Sequence, residues 1–378
     1  MSGTVVHFRS DFARPSERFV TAPLPYFRSW RPVLLGWRGP TGVPGVAPSS
    51  CMFYEDLPAR GFLTSASWRL GHHPKLAISW LGQRGARLCH AHFGEDGALV
   101  LPLARRLKMP LLVSFYGHDL TRLPTWRTTR PAWLHYWMTF DRLRREAAVA
   151  LPNCRFLATR LAELGWPAER VRVVYPGVTL PQEALWRPHN RLVLAVGRLV
   201  EKKGFETLID AARVLRDGGL EVAVAILGDG PLRRPLEALV ERNRLSGTVT
   251  LPGWVSPTGL RAWFESAAML VAPSNRSTDG DMEGLPTVLI EAAALGMPLV
   301  GTRHAGIPEI VLDGETGLLV PEREPGALAA AIGALLENDD RRAQFSSGAR
   351  QLVTTQFMIQ QQATTLEQLY DQVAESAA

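Results

Sequence analysis

The sequence predicts an α/β protein with doubly wound parallel sheets and more than one domain. The chain has 378 residues, which is longer than one ordinary domain requires. Its hydrophobic fraction is 46% and its charged fraction is 21%, values typical of a protein with a sizeable core. Short apolar, β-branched runs alternate with helical periodicity through the second half, as they do in βαβ units.

The second half contains the more regular pattern of elements. Strands are predicted at 191–197, 222–228, 249–255, 267–274, 298–302 and 316–321. Helices are predicted at 205–219, 232–245, 286–296 and 325–338. Because the strands are short continuous apolar runs, we expect a parallel sheet that is covered by helices on both faces.

The first half has fewer regular patterns. Strands are predicted at 5–8, 88–94 and 110–117, and helices at 96–107 and 131–148. Residues 20–50 are rich in Pro, Gly and aromatic residues with little periodicity, so we expect loops and short strands there. The segment 179–190 holds two prolines and is the expected linker. The predicted domains are therefore 1–180 and 188–357.

Charge is distributed unevenly along the chain. Residues 1–190 carry 25 Lys and Arg against 12 Asp and Glu, a net charge of +13, whereas residues 191–378 carry 17 against 24, a net charge of −7. This asymmetry predicts two domains with different partners. The basic half could face an anionic membrane or a phosphorylated substrate. Nucleic acid is disfavoured because no recognised binding motif accompanies the charge.

Cysteine content and hydropathy favour a cytoplasmic location. Three distant cysteines give neither a disulfide framework nor the spacing of zinc ligands. No apolar run reaches the ~18 residues of a spanning helix, and the N-terminus lacks the apolar core of a signal peptide. The stretch 120–147 combines six arginines with three tryptophans and a tyrosine. It forms either a patch for peripheral attachment to the inner face of the plasma membrane or a helix with aromatic core residues.

The densest group of candidate site residues surrounds the start of a predicted helix. Glu283 precedes this helix, and Glu291 lies about one and a half turns inside it. The helix opens with Gly284, Leu285 and Pro286. Backbone N–H groups and the helix dipole favour an anion at such a start. Because carboxylates can accept hydrogen bonds from ribose and sugar hydroxyls, the pattern suits a ligand that contains ribose, phosphates and a sugar.

Two cations and a glycine turn lie near other predicted strand ends. Arg198 and Lys203 follow the strand at 191–197, so they should lie at the carboxyl edge of the sheet. Both would neutralise a pyrophosphate, and especially the charge that develops as it leaves. Gly228, in the turn Gly-Asp-Gly-Pro, would allow the backbone to approach a ligand.

Several motifs of the second half occur in a specific order. Between residues 171 and 340 the chain contains GRLVEKKG, GDGP, PGWV, DMEGLPTVLIEA, TRHAGIPEIV and DGETGLLV. Together they resemble the retaining glycosyltransferases of family 4, and their order is far more specific than any single motif. The loop STDGDMEG also resembles the branch that builds colanic acid and amylovoran. The resemblance implies the GT-B fold, with two Rossmann-like domains facing across a cleft and a C-terminal helix at 358–378 that returns to the first domain.

The resemblance also implies roles for individual residues. Glu291 would hold the nucleotide ribose, and Glu283 would contact hydroxyls of the transferred sugar. Arg198 and Lys203 would bind the diphosphate of a UDP- or GDP-linked donor. The base would be bordered by Gly253 and Trp254.

No metal is implied by the resemblance. Asp279-Gly280-Asp281 has the form of a DxD metal site, but that chemistry belongs to the other glycosyltransferase fold. No histidine or third acid is patterned beside it, so we interpret the segment as a flexible loop. Arg198, Lys203 and the amides at the helix start would stabilise the leaving group instead.

Two segments of the first half, HAHFG and FYGHDL, resemble the same family more weakly. In the common pattern of the second segment a histidine stands at the position of Tyr116, whereas His118 here occupies the variable position. Either residue could replace the usual catalytic histidine. Asp119 and His92 are further candidates on the acceptor side, although Asp119 could simply cap the following segment. His90 and His92 share one strand face, which suits burial as well as a substrate role.

The predicted function is transfer of a hexosyl group from a nucleotide-sugar to a carbohydrate or lipid-linked acceptor, with retention, in bacterial polysaccharide or glycoconjugate biosynthesis. One alternative is a sugar-nucleotide epimerase of the same fold, which leaves the basic first half unexplained. Another is a non-catalytic partner that binds a nucleotide-sugar or a membrane and recruits a transferase. The replacement at Tyr116 keeps this alternative open.

Overall fold

The chain divides into two compact units. The computed structural model describes residues 3–40, 42–57, 68, 71–122, 131–182, 186 and 191–377. The first unit comprises Met1–Gly177 and Ile359–Ala378, and the second comprises Val178–Met358. The chain enters the second unit just before the expected linker 179–190, part of which lies outside the described residues.

The first unit is built on a parallel sheet. Its strands within the described residues are β1 (Gly3–Phe8), β2 (Trp30–Gly36), β3 (Cys51–Phe53), β4 (Ala86–His92), β5 (Leu111–Phe115) and β6 (Val149–Pro152). They lie in the order β3-β2-β1-β4-β5-β6, and every pairing is parallel. The helices of this part are α1 (Lys75–Gln83), α2 (Gly94–Arg106), α3 (His118–Thr121), α4 (Pro131–Glu146) and α5 (Arg155–Glu163). The carboxyl ends of β1, β4 and β5 therefore meet at one edge of the sheet.

The strand β2 corrects the expectation of only loops and short strands at 20–50. It has seven residues, six of them buried, and it pairs with all six residues of β1. The sequence obscured this strand because Pro32 has no N–H to donate and disfavours an inner position. Pairing of β3 with β2 begins only at Leu34, so Pro32 lies at an edge of the sheet, where proline is tolerated.

The second unit contains another parallel sheet. Its strands are β7 (Leu192–Val196), β8 (Ala223–Leu227), β9 (Val249–Gly253), β10 (Met269–Ala272), β11 (Leu299–Thr302) and β12 (Gly317–Val320). Their order is β12-β11-β10-β7-β8-β9. The helices are α6 (Phe205–Asp217), α7 (Arg233–Arg242), α8 (Pro257–Ser266), α9 (Thr287–Ala294), α10 (Pro325–Leu336) and α11 (Asp339–Gln356). Every strand and helix predicted for this half is present, and α6 and α10 pack on the sheet to form the core.

The C-terminal helix α12 (Ile359–Ser376) belongs to the first unit. Its apolar face contributes Leu366, Leu369 and Tyr370 to a core that includes Val5 and Trp30. The Glu367 carboxylate accepts hydrogen bonds from the backbone N–H groups of residues 28–30 at 2.7–3.0 Å. The helix is therefore fixed to the segment that leads into β2 by both apolar and polar contacts.

Candidate functional site

A buried ion pair lies at the carboxyl edge of the second sheet. Lys203 ends a short turn after β7, and Glu283 precedes α9. The two side chains meet with Lys203 Nζ 3.0 Å from Glu283 Oε1, and the Glu283 residue is only 7% exposed. The structure thus brings together two residues that the sequence separates by eighty positions.

The cations around Glu283 keep its carboxylate ionised. Burial by itself raises the pKa of Glu283, but the Lys203 and Lys202 ammonium groups more than compensate and lower that pKa to about 2. The carboxylate is therefore negative across the physiological pH range. A buried anion of this kind is a strong acceptor for the hydroxyl groups of a bound sugar.

His304 fixes the backbone of Glu283. The Glu283 N–H donates to His304 Nε2 at 3.2 Å, and His304 Nδ1 lies 2.7 Å from Glu322 Oε1. Because Nε2 accepts a hydrogen bond, the ring proton must be on Nδ1, where it is donated to the Glu322 carboxylate. The ring is completely buried. The motif TRHAGIPEIV does not indicate this role, because the two partners of His304 lie 18 and 21 residues away in the sequence.

Two glycines shape the turn that carries Lys203. A Cβ at Gly197 would lie 3.0 Å from Cε of Lys203, so the absent side chain leaves room for the lysine stem. Gly204 has φ of +65°, and a Cβ there would collide with the carbonyl oxygen of Pro273. The close approach and the left-handed backbone both require glycine at this position.

The other predicted donor residues surround this pair with different exposures. Arg198, which follows β7, and Glu291, which lies in α9, are exposed to solvent. Trp254 follows β9 and is 61% exposed. The Gly228 N–H donates to the Gly253 carbonyl at 2.8 Å, so these two strand ends are directly joined. The residues that open α9, all of them buried, are Gly284, Leu285 and Pro286.

The Asp279-Gly280-Asp281 segment is held by hydrogen bonds. The Asp279 carboxylate accepts from Ser277 Oγ at 2.5 Å and from the Asp281 N–H at 3.1 Å. The Asp281 carboxylate pairs with Lys202 Nζ at 3.1 Å. In the part of the chain that the structure describes, neither aspartate belongs to a group of three metal-ligating side chains. These contacts give both carboxylates a structural role in a loop that we expected to be flexible.

At the carboxyl edge of the first sheet, Asp119 fixes the loop after β5. Its carboxylate is fully buried and accepts hydrogen bonds from the N–H groups of Gly94, Tyr116 and Gly117 at 2.9–3.2 Å. Burial raises the pKa of Asp119 to about 6, although the neighbouring His118 offsets part of this rise. With no exposed surface, Asp119 acts through the loop that carries Tyr116 and His118.

Tyr116 and His118 have different surroundings. The Tyr116 hydroxyl lies 2.9 Å from His92 Nδ1, and its ring packs on Phe19 and Phe93. His118 Nε2 lies 3.3 Å from Glu95 Oε1, and its side chain is 27% exposed. The structure therefore brings Tyr116 together with His92 and places His118 beside an acidic partner.

Sequence reasoning missed two buried polar residues in β1 and just after it. His7 Nδ1 lies 3.0 Å from His92 Nε2. Arg9 pairs with Asp96 at 2.6 Å and with Glu17 at 2.8 Å, and this holds the segment that carries Phe19 near Tyr116. The run VVHF reads as a plain core strand, so nothing in its local pattern indicated a polar site.

Comparisons with known proteins identify the family of the chain. Residues 179–352 match the family model "Glycosyl transferases group 1", and residues 49–181 match "Glycosyltransferase Family 4". The chain is 30% identical over 317 residues to a GDP-mannose-dependent alpha-(1-6)-phosphatidylinositol monomannoside mannosyltransferase of Mycolicibacterium smegmatis, covering 77% of this chain and 79% of that protein. The chain belongs to glycosyltransferase family 4.

Two curated relatives of the chain are named for exopolysaccharide biosynthesis. The chain is 36% identical over 248 residues to the putative colanic acid biosynthesis glycosyltransferase WcaL of Salmonella typhimurium, covering 64% of this chain and 59% of the relative. It is 32% identical over 275 residues to the amylovoran biosynthesis glycosyltransferase AmsK of Erwinia amylovora, covering 70% and 65%. The chain thus spans about three-fifths to two-thirds of the length of these relatives. The predicted resemblance to this branch is confirmed.

Solved structures confirm the fold of this glycosyltransferase. The sucrose-phosphate synthase of Thermosynechococcus elongatus has a TM-score of 0.77 at 20% identity, covering 99% of this chain and 100% of that one. HepE of Anabaena, crystallised in complex with UDP, has a TM-score of 0.76 at 17% identity, covering 98% and 100%. The fold is GT-B, with two Rossmann-like domains.

Proposed function

We propose that the protein transfers a hexosyl group from a UDP- or GDP-linked sugar to a carbohydrate or lipid-linked acceptor, with retention at the anomeric carbon. The observation that carries this proposal is the ionised, buried Glu283 paired with Lys203 at the edge where ligands of open α/β sheets bind. The names of the WcaL and AmsK relatives support a role in bacterial polysaccharide or glycoconjugate biosynthesis.

In the proposed donor complex, Glu283 accepts hydrogen bonds from the transferred sugar and Glu291 accepts them from the ribose. Lys203 and Arg198 neutralise the diphosphate, with their strongest effect as the leaving group gains charge. Pro286 at the N-cap of α9 makes no side-chain cap hydrogen bond, which favours a phosphate beside the N–H groups of this helix start. Gly253 and Trp254 border the base, and Trp254 offers an exposed ring for that purpose.

The proposed reaction needs no metal ion. Lys203 and Arg198 supply the positive charge that the leaving nucleotide requires. The carboxylates of Asp279 and Asp281 are engaged with the loop and with Lys202, which supports a structural role for the DxD-like segment. Transfer should therefore persist in EDTA, and loss of activity that Mg²⁺ or Mn²⁺ restores would contradict metal independence.

On the acceptor side we assign the place of the usual histidine to Tyr116, which directly precedes Gly117 as that histidine does in the family pattern. The contact between its hydroxyl and His92 supports this choice over His118, which pairs with Glu95. Tyr116→Phe should lower turnover more than His118→Asn does. The reverse order would transfer the role to His118.

The test is a panel of UDP- and GDP-linked sugars, with nucleotide release as the readout and carbohydrate acceptors added in turn. One donor series should be turned over, Glu283→Gln should lose at least about a hundredfold in rate, and the exposed Glu221→Gln should match the wild type. NMR of the product should show the anomeric configuration of the donor. Inversion, or sugar interconversion without nucleotide release, would overturn the proposal, and binding without turnover would favour the non-catalytic partner.

Peripheral membrane attachment is part of the proposal. Leu134 lies about one turn before Trp137 and Met138 on α4, and these three side chains are 51–72% exposed. The exposed Arg142 and Arg145 follow them. This combination suits an anionic lipid surface. The upstream part of the predicted patch, residues 123–130, lies outside the described residues. No helix within the described ranges is long and apolar enough to cross a membrane.

Vesicle sedimentation tests the attachment. The whole chain should sediment with phosphatidylglycerol-rich vesicles and not with pure phosphatidylcholine. Serine substitutions at Leu134, Trp137 and Met138 should abolish this, whereas Leu76→Ser, which changes an exposed leucine of α1, should not. Equal sedimentation of both variants would contradict a role for α4.

A further inference from the structure

Three side chains at the edge of the first sheet form a hydrogen-bonded chain. His7 Nδ1 lies 3.0 Å from His92 Nε2, and His92 Nδ1 lies 2.9 Å from the hydroxyl oxygen of Tyr116. His7 is 1% exposed and His92 is 3% exposed. The chain therefore runs from a buried ring on β1, through the last residue of β4, to the residue that directly follows β5.

Both rings of this chain are neutral. Burial lowers the pKa of His7 and of His92 well below the ordinary value, and the neighbouring histidines lower both pKa values further. For His92 the Arg9 guanidinium has the same effect. Two neutral imidazoles share two protons among four nitrogens.

Counting these protons leaves two arrangements. The contact between His7 Nδ1 and His92 Nε2 holds one proton, because two donors or two acceptors cannot form a hydrogen bond. In the first arrangement both rings are protonated on Nδ1, and His92 donates to the Tyr116 oxygen. In the second both rings are protonated on Nε2, and the Tyr116 hydroxyl donates to His92. The two histidines must therefore always share the same tautomer.

His7, at the end of this hydrogen-bonded chain, lines a cavity. The cavity has a volume of about 40 Å³ and is lined by His7, His92 and Tyr116 among others. His7 Nε2 is buried and has no hydrogen-bond partner among the residues that the structure describes. A cavity needs only about 10–15 Å³ for one water, and a buried polar nitrogen needs a partner. The cavity therefore suits a water molecule or a hydroxyl group beside His7 Nε2.

A metal ion explains the same residues less well. One nitrogen from each of His7, His90 and His92 lies within 4.8 Å of the others, which is close enough for a shared ion. Five of the six ring nitrogens already have protein hydrogen-bond partners, since His90 contacts Tyr370 and Ser114. The site is also fully buried with the Arg9 guanidinium nearby, which disfavours a dication.

We propose that His7 and His92 are positioning residues that set whether the Tyr116 hydroxyl donates or accepts its hydrogen bond with a substrate hydroxyl. The polar group in the cavity selects the arrangement. An acceptor of hydrogen bonds at His7 Nε2 selects the second arrangement and leaves the Tyr116 oxygen able to accept from the substrate. A donor there selects the first and leaves the Tyr116 hydroxyl able to donate. This role rests on the proposed transfer function. The hydrogen-bonded chain of His7, His92 and Tyr116, which we call the relay, does not.

The relay is tested by ¹⁵N NMR of the whole chain labelled at histidine, with assignments from single histidine variants. His7 and His92 should show the same neutral tautomer, and Tyr116→Phe should shift the tautomer populations of both rings together. The control is Tyr54→Phe, because the Tyr54 hydroxyl lies 2.7 Å from Nδ1 of the buried His73. Tyr54→Phe should change only the tautomer populations of His73.

Three results would overturn the relay. The first is opposite tautomers on His7 and His92, and the second is a Tyr116→Phe response that does not reach His7. The third is a Co²⁺ titration that gives the absorption bands of a tetrahedral histidine site and that His7→Phe abolishes. That result would make the cluster a metal site.

Turnover of the sugar nucleotide that the wild type uses tests the positioning role. Tyr116→Phe and His7→Phe should each lower kcat about 10- to 100-fold with little change in the Kd of the nucleotide. The double variant should be no slower than the slower single one, and His73→Phe should retain kcat. Additive losses would overturn the positioning role. If Glu283→Gln remains active while the tautomers stay coupled, the proposed function fails and the relay stands.

Discussion

At the residue scale, Glu283 and Lys203 illustrate how a buried charge is maintained. A carboxylate that is 7% exposed would lose its proton reluctantly if it were alone, yet Lys203 at 3.0 Å and Lys202 beyond it favour the anion. The result is a fixed negative charge next to a fixed positive one. Such a pair is suited to bind a sugar and a diphosphate side by side.

Glu283 should make chain stability depend on acid pH. Its pKa is about 2, against 4.5 for an ordinary glutamate, so its ionisation contributes about 3 kcal/mol at neutral pH. Because the folded-state pKa is depressed, that contribution is present above pH 4.5 and is lost as the pH falls from 4.5 toward 2. Thermal unfolding of Glu283→Gln should therefore differ most from the wild type near pH 7, and the difference should shrink steadily as the pH falls from 4.5 toward 2.

The exposed Glu221→Gln is the control for this pH dependence. It should follow the wild type at every pH, since it lies outside the ion pair. A constant difference between Glu283→Gln and the wild type from pH 7 to pH 3 would contradict the depressed pKa.

His304 should matter for stability through one buried and one partly buried hydrogen bond. His304→Phe keeps a ring of similar size but leaves the Glu283 N–H without its acceptor and Glu322 without its donor. A buried unsatisfied group costs roughly 1–3 kcal/mol, and we expect a destabilisation of that size. Thermal unfolding of the variant measures it. His304→Gln, which can satisfy one of the two partners, should lose less, and equal losses would argue for packing alone.

The sequence identified some site residues and not others for a physical reason. Glu283, Lys203 and Tyr116 lie in local motifs whose order carries information. His7 contacts His92 on a neighbouring strand, and Arg9 pairs with Asp96 on a helix, each more than eighty residues away. Such pairings depend on strand register, which no local pattern contains.

At the element scale, the turn between β7 and α6 depends on Gly204. Gly204→Ala would place a Cβ against the Pro273 carbonyl in a left-handed backbone, so we expect a loss of more than about 1 kcal/mol. Gly219→Ala is a matched control, because Gly219 has φ of +79° and no atom within 4 Å of its Cβ position. Thermal unfolding should rank Gly204→Ala well below Gly219→Ala, and similar values would contradict the close approach.

The predictability of elements followed their hydrophobic periodicity. The strands of the second half and four of its helices were recovered because short β-branched runs alternate there with amphipathic helices such as α6. The helices α8 and α11 were missed, and the hydrophobic residues of α11 define only a weak apolar face. The strand β2 was missed because Pro32 interrupts a run that is otherwise apolar, and only the late start of β3 explains why proline fits.

At the scale of the whole molecule, the first unit requires the C-terminus of the chain. Glu367 on α12 accepts hydrogen bonds from three successive N–H groups at 28–30. Glu367→Ala leaves these groups without their acceptor and should cost about 1–3 kcal/mol, mainly through the buried N–H of Trp30. The control Glu375→Ala changes an exposed residue of the same helix and should cost almost nothing. Thermal unfolding compares the two, and equal stability of both variants would contradict the anchoring role.

The division of the chain shows what pattern alone can locate. Prolines and the loss of periodicity placed a boundary near residue 180, close to Gly177–Val178. The return of the last helix to the first unit was implied only by the family resemblance. Its physical basis is contact with residues more than 330 positions away, such as Trp30.

The proposed donor site is tested most directly by calorimetry of UDP and GDP binding to the whole chain and to Glu291→Ala. We predict that one nucleotide binds the wild type and that Glu291→Ala weakens its Kd at least about tenfold, since hydrogen bonds to a charged acceptor contribute about 1.5–3 kcal/mol. The exposed Glu337→Ala should bind as the wild type does. Failure of both nucleotides to bind, or equal affinity in Glu291→Ala, would contradict a donor site in the second unit.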